Sequence, residues 1–339
     1  MKPKAPVRAS LLAAMALGAA TAVPTRTFAQ TQYPDHAIRI IVPFAAGGAV
    51  DVMARIIAEK LSNAWKQSVI VENRVGASGN VGAEAVARAQ PDGHTLLISP
   101  PGPIAINQHL FANMRFDATA FVPITIIAAA PNILVARPGL AASVPELVAL
   151  ARAQPGKLTY GSPGKGSTPH LSAEMLRSLA GIEMAHVPYK SVPEAIRDVV
   201  AGNIDLTFGT LVDSLSLIQD GRLRALGVGG TTRSPLLSDV PTLLETLPDF
   251  ISTVWYAALA PPKTPPQIVE KLSITMATLL RESEPMAKLQ ALQSALILNS
   301  PSEASAFIAA ESERWRKVIV AAGLKPDSRP SSPATHDER

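Results

Sequence analysis

The chain has 339 residues, 47% of them hydrophobic and only 4% aromatic, with a formal net charge of +4 and no cysteine. The missing thiols exclude disulfides, thiol catalysis, cysteine metal sites and lipid attachment through a cysteine. So few aromatics, with no basic run interleaved among them, exclude base-stacking platforms, and no nucleic-acid partner is expected.

Lys2, Lys4 and Arg8 precede an apolar stretch from Ser10 to Val23, and Thr27-Phe28-Ala29 offers a small-residue cleavage site before Gln30. This is the pattern of a cleavable signal peptide over residues 1–29. A membrane anchor is the alternative, but the apolar core falls short of the roughly 20 residues a span needs. The leader carries four basic residues (Lys2, Lys4, Arg8, Arg26) and no acid, so the remainder is formally neutral. The chain is therefore expected to be a soluble exported protein whose anion preference, if any, comes from local geometry.

The roughly 300 residues after the leader exceed what one core usually organises, so two domains are expected. Strand and helix patterns alternate along them. HAIRIIVPF reads as a strand, VDVMARIIAEKLSNAW as a helix, QSVIVEN as a strand, VGAEAVARAQ as a helix after a glycine-rich segment, and HTLLIS as a strand. The alternation continues through NILVARP, VPELVALARAQ, KLTYGS, HLSAEMLRSLAG, AHVPYK, EAIRDVVAG, IDLTFG and RALGVGG. Such βαβ order predicts α/β architecture with mainly parallel sheets flanked by helices. Residues 265–293 and 302–323 read as two C-terminal helices, and the segment beyond Pro326 as a flexible tail of Ser, Pro and charge. Prolines at 123, 131 and 138 and again from 235 to 241 suit a chain that leaves one lobe, builds a second and returns. The expected division is residues 33–130 plus 240–325 for lobe 1 and 131–239 for lobe 2.

Two glycine loops stand between a strand and a helix. In the first, Phe44-Ala45-Ala46-Gly47-Gly48 leads into a helix whose apolar face carries Val50, Met53, Ile57 and Leu61. In the second, Ser162-Pro163-Gly164-Lys165-Gly166 leads to Ser167 and Thr168 as N-cap candidates, with Pro169 near the first helical position. A helix opening from a glycine loop presents unpaired N–H groups and the positive end of its dipole, which makes it an anion site. Asp51 lies in the first turn of the first helix, where it either stabilises the dipole or faces the cleft to contact a ligand amine, hydroxyl or water. Lys165 reads as a solvated loop lysine and His170 as a packing residue. Neither loop has Walker or dinucleotide spacing.

Enzyme chemistry finds little support. His36, His94, His109, His170, His186 and His336 show no metal spacing, GxSxG is absent, and Asp205 and Asp213 read best as capping or turn residues. No catalytic residue, metal or cofactor is expected.

VPFAAGGAVDVMAR, VENRVGASGNVGAEAVARAQPDGHTLL, LTYGSPGKGSTPHLSAEML, VPYKSVPEAIRDVVAGNIDLTFG, GRLRALGVGGTTRSPLLSDVPTL and WYAALAPPKTPPQIVEKL follow one another in order. Together they resemble the tripartite tricarboxylate transporter receptor family, also called Bug proteins, from about Tyr33 to Asp327. The resemblance implies a two-lobed, type II-like Venus-flytrap fold of the periplasmic-binding-protein kind, with the ligand cleft between the lobes. It implies a monomeric periplasmic protein that captures a small carboxylate, such as a di- or tricarboxylate, an acidic amino acid or an aromatic acid. The partner would be the membrane permease of a tripartite transporter. A ligand-presenting role for a membrane sensor ectodomain uses the same fold, and a secreted hydrolase is a distant alternative. Carried onto this sequence, the carboxylate clamp is Phe44 to Gly48 and Ser162 to Thr168, with Asp51 as the acid after the first loop. Ser99, Phe208 and Trp255 complete the expected ligand contacts; Trp255 and Tyr256 either wall the cleft or pack in the core. This chain departs from the family pattern at Ala46, where proline is usual, at Ser78 and Asn80, at Ser191, and at Gly209, where an acid often stands.

Overall fold

A computed structural model describes residues 33–324 and Pro326. The leader and the tail beyond Pro326 lie outside the described residues.

The first half begins with β1 (Ile38–Val42), α1 (Ala49–Trp65), β2 (Val69–Asn73), α2 (Asn80–Ala87) and β3 (Thr95–Ser99). A 15-residue strand follows, β4 (Val122–Ala136), and then α3 (Val144–Ala153), β5 (Thr159–Ser162), α4 (Thr168–Ala180), β6 (Ala185–Pro188) and α5 (Val192–Ala201). Next come β7 (Leu206–Thr210), α6 (Leu211–Gln219), β8 (Arg224–Val228) and β9 (Thr253–Ala260). The chain ends with α7 (Pro266–Leu280), α8 (Ser283–Ala291), β10 (Ala295–Leu296) and α9 (Pro301–Ala321). Among the described residues no helix is long and apolar enough to cross a membrane.

The strands form one sheet in the order β2-β1-β3-β9-β4-β7-β5-β6, with β8 and β10 also pairing β4. The β1, β2 and β3 ladders are parallel, as are those of β5 with β6 and β7, whereas β4 and β9 run antiparallel to their neighbours. β4 carries the transition between the two parallel groups. Its residues 122–131 pair β9 and its residues 132–136 pair β7 and β8. The sequence pattern suggested a strand at 132–138 and took Pro123 and Pro131 as marks of a lobe boundary, yet the strand runs through both prolines, neither of which can donate to a ladder. Pro123 is absorbed beside a register shift, and Pro131 stands where the ladder is about to change partners.

The long C-terminal helix expected over residues 265–293 is two. Glu282 adopts an extended conformation between α7 and α8. Pro285 explains the break, since in a continuous helix its ring would clash with the carbonyl of Arg281 and one hydrogen bond would be lost. In the first turn of α8 that cost vanishes.

One apolar cluster gathers β1, α1, α7 and part of β9 around Met53, Ile57, Leu61 and Leu272. Another gathers α3, α4 and β7 around Leu147, Leu171, Leu176 and Phe208. The C-terminal helix α9 serves both sides of the sheet's transition: Ala304 and Phe307 pack with Trp255, while Trp315 and Ile319 join the cluster around Phe208.

Candidate functional site

Four strand-to-helix junctions open onto one cavity. Its lining includes Phe44, Ala45, Gly48, Ala49 and Val50 ahead of and in α1, Ser167, Thr168 and Pro169 at α4, Ser191, Val192 and Pro193 at α5, and Gly209, Thr210 and Asp213 at α6. Pro100, Gly102, Asn132, Pro163, Val254 and Tyr256 complete it. All four junctions lie at the carboxyl ends of strands, where ligands bind in open α/β sheets. Ala49 and Val50 in α1, Thr168 in α4 and Val192 in α5 are first-turn residues, so their N–H groups have no intrahelical acceptor. The cavity volume is about 90 Å³, which at 10–15 Å³ per water holds roughly six to nine waters, or a small organic acid in their place. A larger depression of about 770 Å³ lies elsewhere and mixes Arg224 with Glu146 and Asp239.

The lining contains no lysine or arginine, and Asp213 is its one carboxylate. What this lining offers an anion is helix ends and backbone N–H groups.

Loop 1 is shaped from behind by Asp51. Its Oδ2 accepts from the Gly47 N–H at 3.0 Å and from Arg55 Nε at 3.0 Å, and its Oδ1 accepts from Arg55 Nη2 at 3.0 Å and Asn73 Nδ2 at 2.9 Å. Asn73 Nδ2 also donates to the Phe44 carbonyl at 3.0 Å. Burial works against the Asp51 carboxylate, but the Arg55, Gly47 and Asn73 hydrogen bonds outweigh it and hold its pKa below the ordinary aspartate value. The cleft-facing role for Asp51 is thus corrected: it braces the loop and does not line the cavity. Gly47 needs glycine, because its φ of +90° disfavours any side chain. Gly48, at φ −81° with nothing within 4 Å of a hypothetical Cβ, owes its glycine to the space in front of it.

Loop 2 is held by its own cap and by the opposite half of the molecule. Ser167 Oγ donates to the Gly164 carbonyl at 2.7 Å and accepts from the His170 N–H at 3.4 Å. A Cβ on Gly164 would sit 2.9 Å from Ser78 Oγ, and one on Gly166 2.2 Å from Asn107 Oδ1. Asn107 Nδ2 in turn donates to the Ser78 carbonyl at 3.1 Å and to Asn80 Oδ1 at 2.7 Å. Gly164 and Gly166 are therefore close-approach residues rather than lining ones, and Ser78 and Asn80 shape the cleft through them. Ser162 Oγ bonds His186 Nε2 at 2.7 Å beneath the loop. His170 is buried, and burial first, then the neighbouring His186, Lys165 and Arg177 charges, push its pKa down to about 3. Lys165 lies over the Phe111 ring, 6.0 Å from its centroid, and does not line the cavity.

Of the expected contacts, Phe44, Ala45, Gly48, Ser167 and Thr168 line the cavity. Ala46 and Gly47 are exposed and Ser99 and Ser162 buried, and none of the four lines it; Ser99 Oγ donates to the carbonyl of lining residue Pro100 at 2.8 Å. Phe208 and Trp255 are corrected outright. Both are fully buried, Phe208 stacked with Phe250 and Trp255 edge-on to Phe307 with its Nε1 donating to Glu311 at 2.9 Å. Alternation along β9 sends Trp255 and Tyr256 to opposite faces, and Tyr256 is the one that walls the cleft. Burial, and then the nearby Asp213 charge, push the Tyr256 pKa up.

The junctions into α5 and α6 escaped the sequence reading. Their signal was present, since Ser191 with Glu194 and Thr210 with Asp213 each place a hydroxyl cap three residues before an acid. Spacing also missed one cluster of metal-type donors. Candidate ligand atoms of Asp35, His36 and His94 lie within 4.8 Å of one another, and none of these residues lines the cavity.

Residues 53–324 match the tripartite tricarboxylate transporter family receptor. The chain belongs to this family. It is a family of binding receptors and not of enzymes. Among solved structures, R. palustris Rpa4515 with adipate is 37% identical, covers 87% of this chain and 100% of its own, and superposes with a TM-score of 0.83. The periplasmic binding protein BugD is 28% identical over 87% of this chain and 100% of its own, with a TM-score of 0.82. MatC from Rhodopseudomonas palustris with bound malate is 28% identical over 85% and 100%, with a TM-score of 0.81. The architecture is accordingly the α/β periplasmic-binding-protein fold, and the receptor is a solute-binding protein.

Proposed function

We propose that this receptor captures a small carboxylate in the periplasm and delivers it to the membrane permease of a tripartite tricarboxylate-type transporter. The observation that carries the reading is the convergence of the α1, α4 and α5 N-termini on a cavity whose lining has no cationic side chain. Such an arrangement favours a desolvated anion through charge-assisted backbone hydrogen bonds, which are stronger than neutral ones. Relatives captured with adipate and malate support carboxylates as the ligand class. Residues 33–130 with 240–325 act as one lobe and 131–239 as the other, and a ligand touching both stabilises the closed form in proportion to its extra affinity for it.

The test is a thermal-shift screen of the purified protein against mono-, di- and tricarboxylates. Saturation at 100 times the dissociation constant adds about 2.7 kcal/mol of stability. A Cβ at Gly48 meets nothing within 4 Å, and Gly48 lines the cavity, so Gly48→Val adds its methyl groups to the ligand space. It should abolish the ligand shift while leaving the ligand-free melting temperature nearly unchanged. Absence of any carboxylate response, or undiminished binding by Gly48→Val, would remove the assignment.

A further inference from the structure

Where β4 and α6 line the cavity they offer acceptors. Asn132 on β4 is 1% exposed, and its Oδ1 has no hydrogen-bond partner. The hydroxyls behind it fix which way its amide points. Ser172 Oγ donates its single proton to the Thr168 carbonyl at 2.7 Å, so in the close Ser172–Ser252 contact Ser252 must be the donor. With its proton spent, Ser252 Oγ can only accept from Asn132, which places Nδ2 on that side at 2.8 Å and leaves Oδ1 as the orphan.

Asp213 stands beside it. Asn132 pairs with Thr210 across the β4 and β7 ladder, and Thr210 holds Asp213 through its N–H at 3.1 Å and its hydroxyl at 2.6 Å. Both bonds go to Oδ2, and among the described residues no hydrogen bond reaches Oδ1 and no cation pairs with this carboxylate. Unlike Asp51 and Glu194, the first-turn acids of α1 and α5, Asp213 lines the cavity, so its charge opposes an anion at the α6 end. A buried acceptor left unpaired costs about 1–3 kcal/mol; Asn132 Oδ1 is such an acceptor, Asp213 Oδ1 is a half-buried one, and both residues line the cavity, which favours a ligand that brings donors. Burial raises the Asp213 pKa against the lowering effect of its Thr210 bonds.

We propose that this end of the cavity reads the ammonium group of a small aminocarboxylate, with Asp213 and Asn132 Oδ1 as its acceptors. The inference rests on the carboxylate-capture reading and deepens it. The ligand's carboxylate faces the α1, α4 and α5 ends, its ammonium faces α6 and β4, and a short apolar body lies between Phe44, Val50, Val192 and Val254. A second carboxylate at the ammonium position would meet a like charge and a carbonyl oxygen, so dicarboxylates of equal length are rejected.

Isothermal titration with length-matched sets tests this: α- and ω-aminocarboxylates of two to six carbons, their deaminated counterparts, and the corresponding dicarboxylates. The wild-type protein should bind the best aminocarboxylate at least tenfold more tightly than its deaminated and dicarboxylic counterparts. Asp213→Asn keeps the shape and an acceptor for Thr210. It should erase that preference and bind the deaminated acid more tightly than the wild-type protein does. Equal or tighter binding of deaminated or dicarboxylic acids by wild type overturns the proposal while leaving carboxylate capture standing. An aminocarboxylate preference that survives in folded Asp213→Asn overturns the residue assignment. If no carboxylate of any set binds, both readings fall.

Discussion

Replacing Asp51 separates bracing from ligand contact. In Asp51→Ala the Gly47 N–H loses its acceptor, Asn73 loses Asp51 but keeps its bonds with the Phe44 carbonyl and Arg55 Nη2, and Arg55 loses both of its bonds to the carboxylate. The Arg55 side chain is 54% exposed, so water replaces most of the ion pair, and that part is worth at most about 1 kcal/mol. The Gly47 and Asn73 bonds reach a carboxylate that is 4% exposed, and hydrogen bonds to a charged group add roughly 1.5–3 kcal/mol each before the remaining partners relax. Allowing for that relaxation, the ligand-free protein should lose about 2–3 kcal/mol, a fall in Tm of roughly 4–10 °C.

Thermal and urea unfolding of the ligand-free protein measure this directly. Because the folded pKa of Asp51 is depressed, its contribution is complete above the unfolded value of about 3.9 and is lost as pH falls through the lower folded value. The gap between wild type and Asp51→Ala should therefore close in strong acid. Ligand affinity should fall modestly through a loosened loop, with no change in the order of preferred ligands. An unchanged ligand-free stability with abolished binding would refute the bracing argument and return Asp51 to the cleft.

Acid should weaken the second loop through His170. Its folded pKa of about 3 lies below the unfolded 6.5, so the unfolded chain binds the extra proton between these values and stability falls as pH drops through that window. The loss should be roughly 2 kcal/mol between pH 6.5 and 5, and His170→Gln should flatten that part of the pH–stability curve; an unaltered slope would show that other groups carry it. Gly166→Ala combines a φ of +87° with a Cβ 2.2 Å from Asn107 Oδ1. It should cost about 2–4 kcal/mol in urea unfolding, whereas Gly48→Ala should stay within about 0.5 kcal/mol. Equal costs at the two positions would contradict the distinction between close-approach and open glycines.

The two glycine loops were legible because a flexible turn ahead of an amphipathic helix is a local pattern, readable within about 20 residues. What lay across the cleft was not. Asn132 belongs to the site because of hydroxyls at Ser172 and Ser252, which come from a helix and a loop far along the chain, and no window contains all three. Asp51 was ambiguous for the same reason, since Asn73 on β2 decides which way it faces. Phe208 and Trp255 failed differently. An aromatic on a strand points to one face or the other with period two, and only the packing of α9 and Phe250 shows which face is core. The prolines of β4 misled because proline argues against a strand in isolation, while a ladder that shifts register and changes partner can accommodate one.

The polarity of the site follows from strand direction more than from any motif. β7, β5 and β6 are consecutive in the sheet and parallel, so the helices that follow them, α6, α4 and α5, all open at the same edge. Each would contribute the positive end of a backbone dipole that no side-chain substitution removes. First-turn carboxylates stand in α1, α5 and α6, at Asp51, Glu194 and Asp213, but only Asp213 lines the cavity, so it is at α6 that a negative charge faces the ligand space. On the proposed reading, affinity comes from the parallel sheet and selectivity from residues that cancel or extend its field, so substitutions at positions such as 132 and 213 should change the preferred ligand while the glycine loops stay as they are.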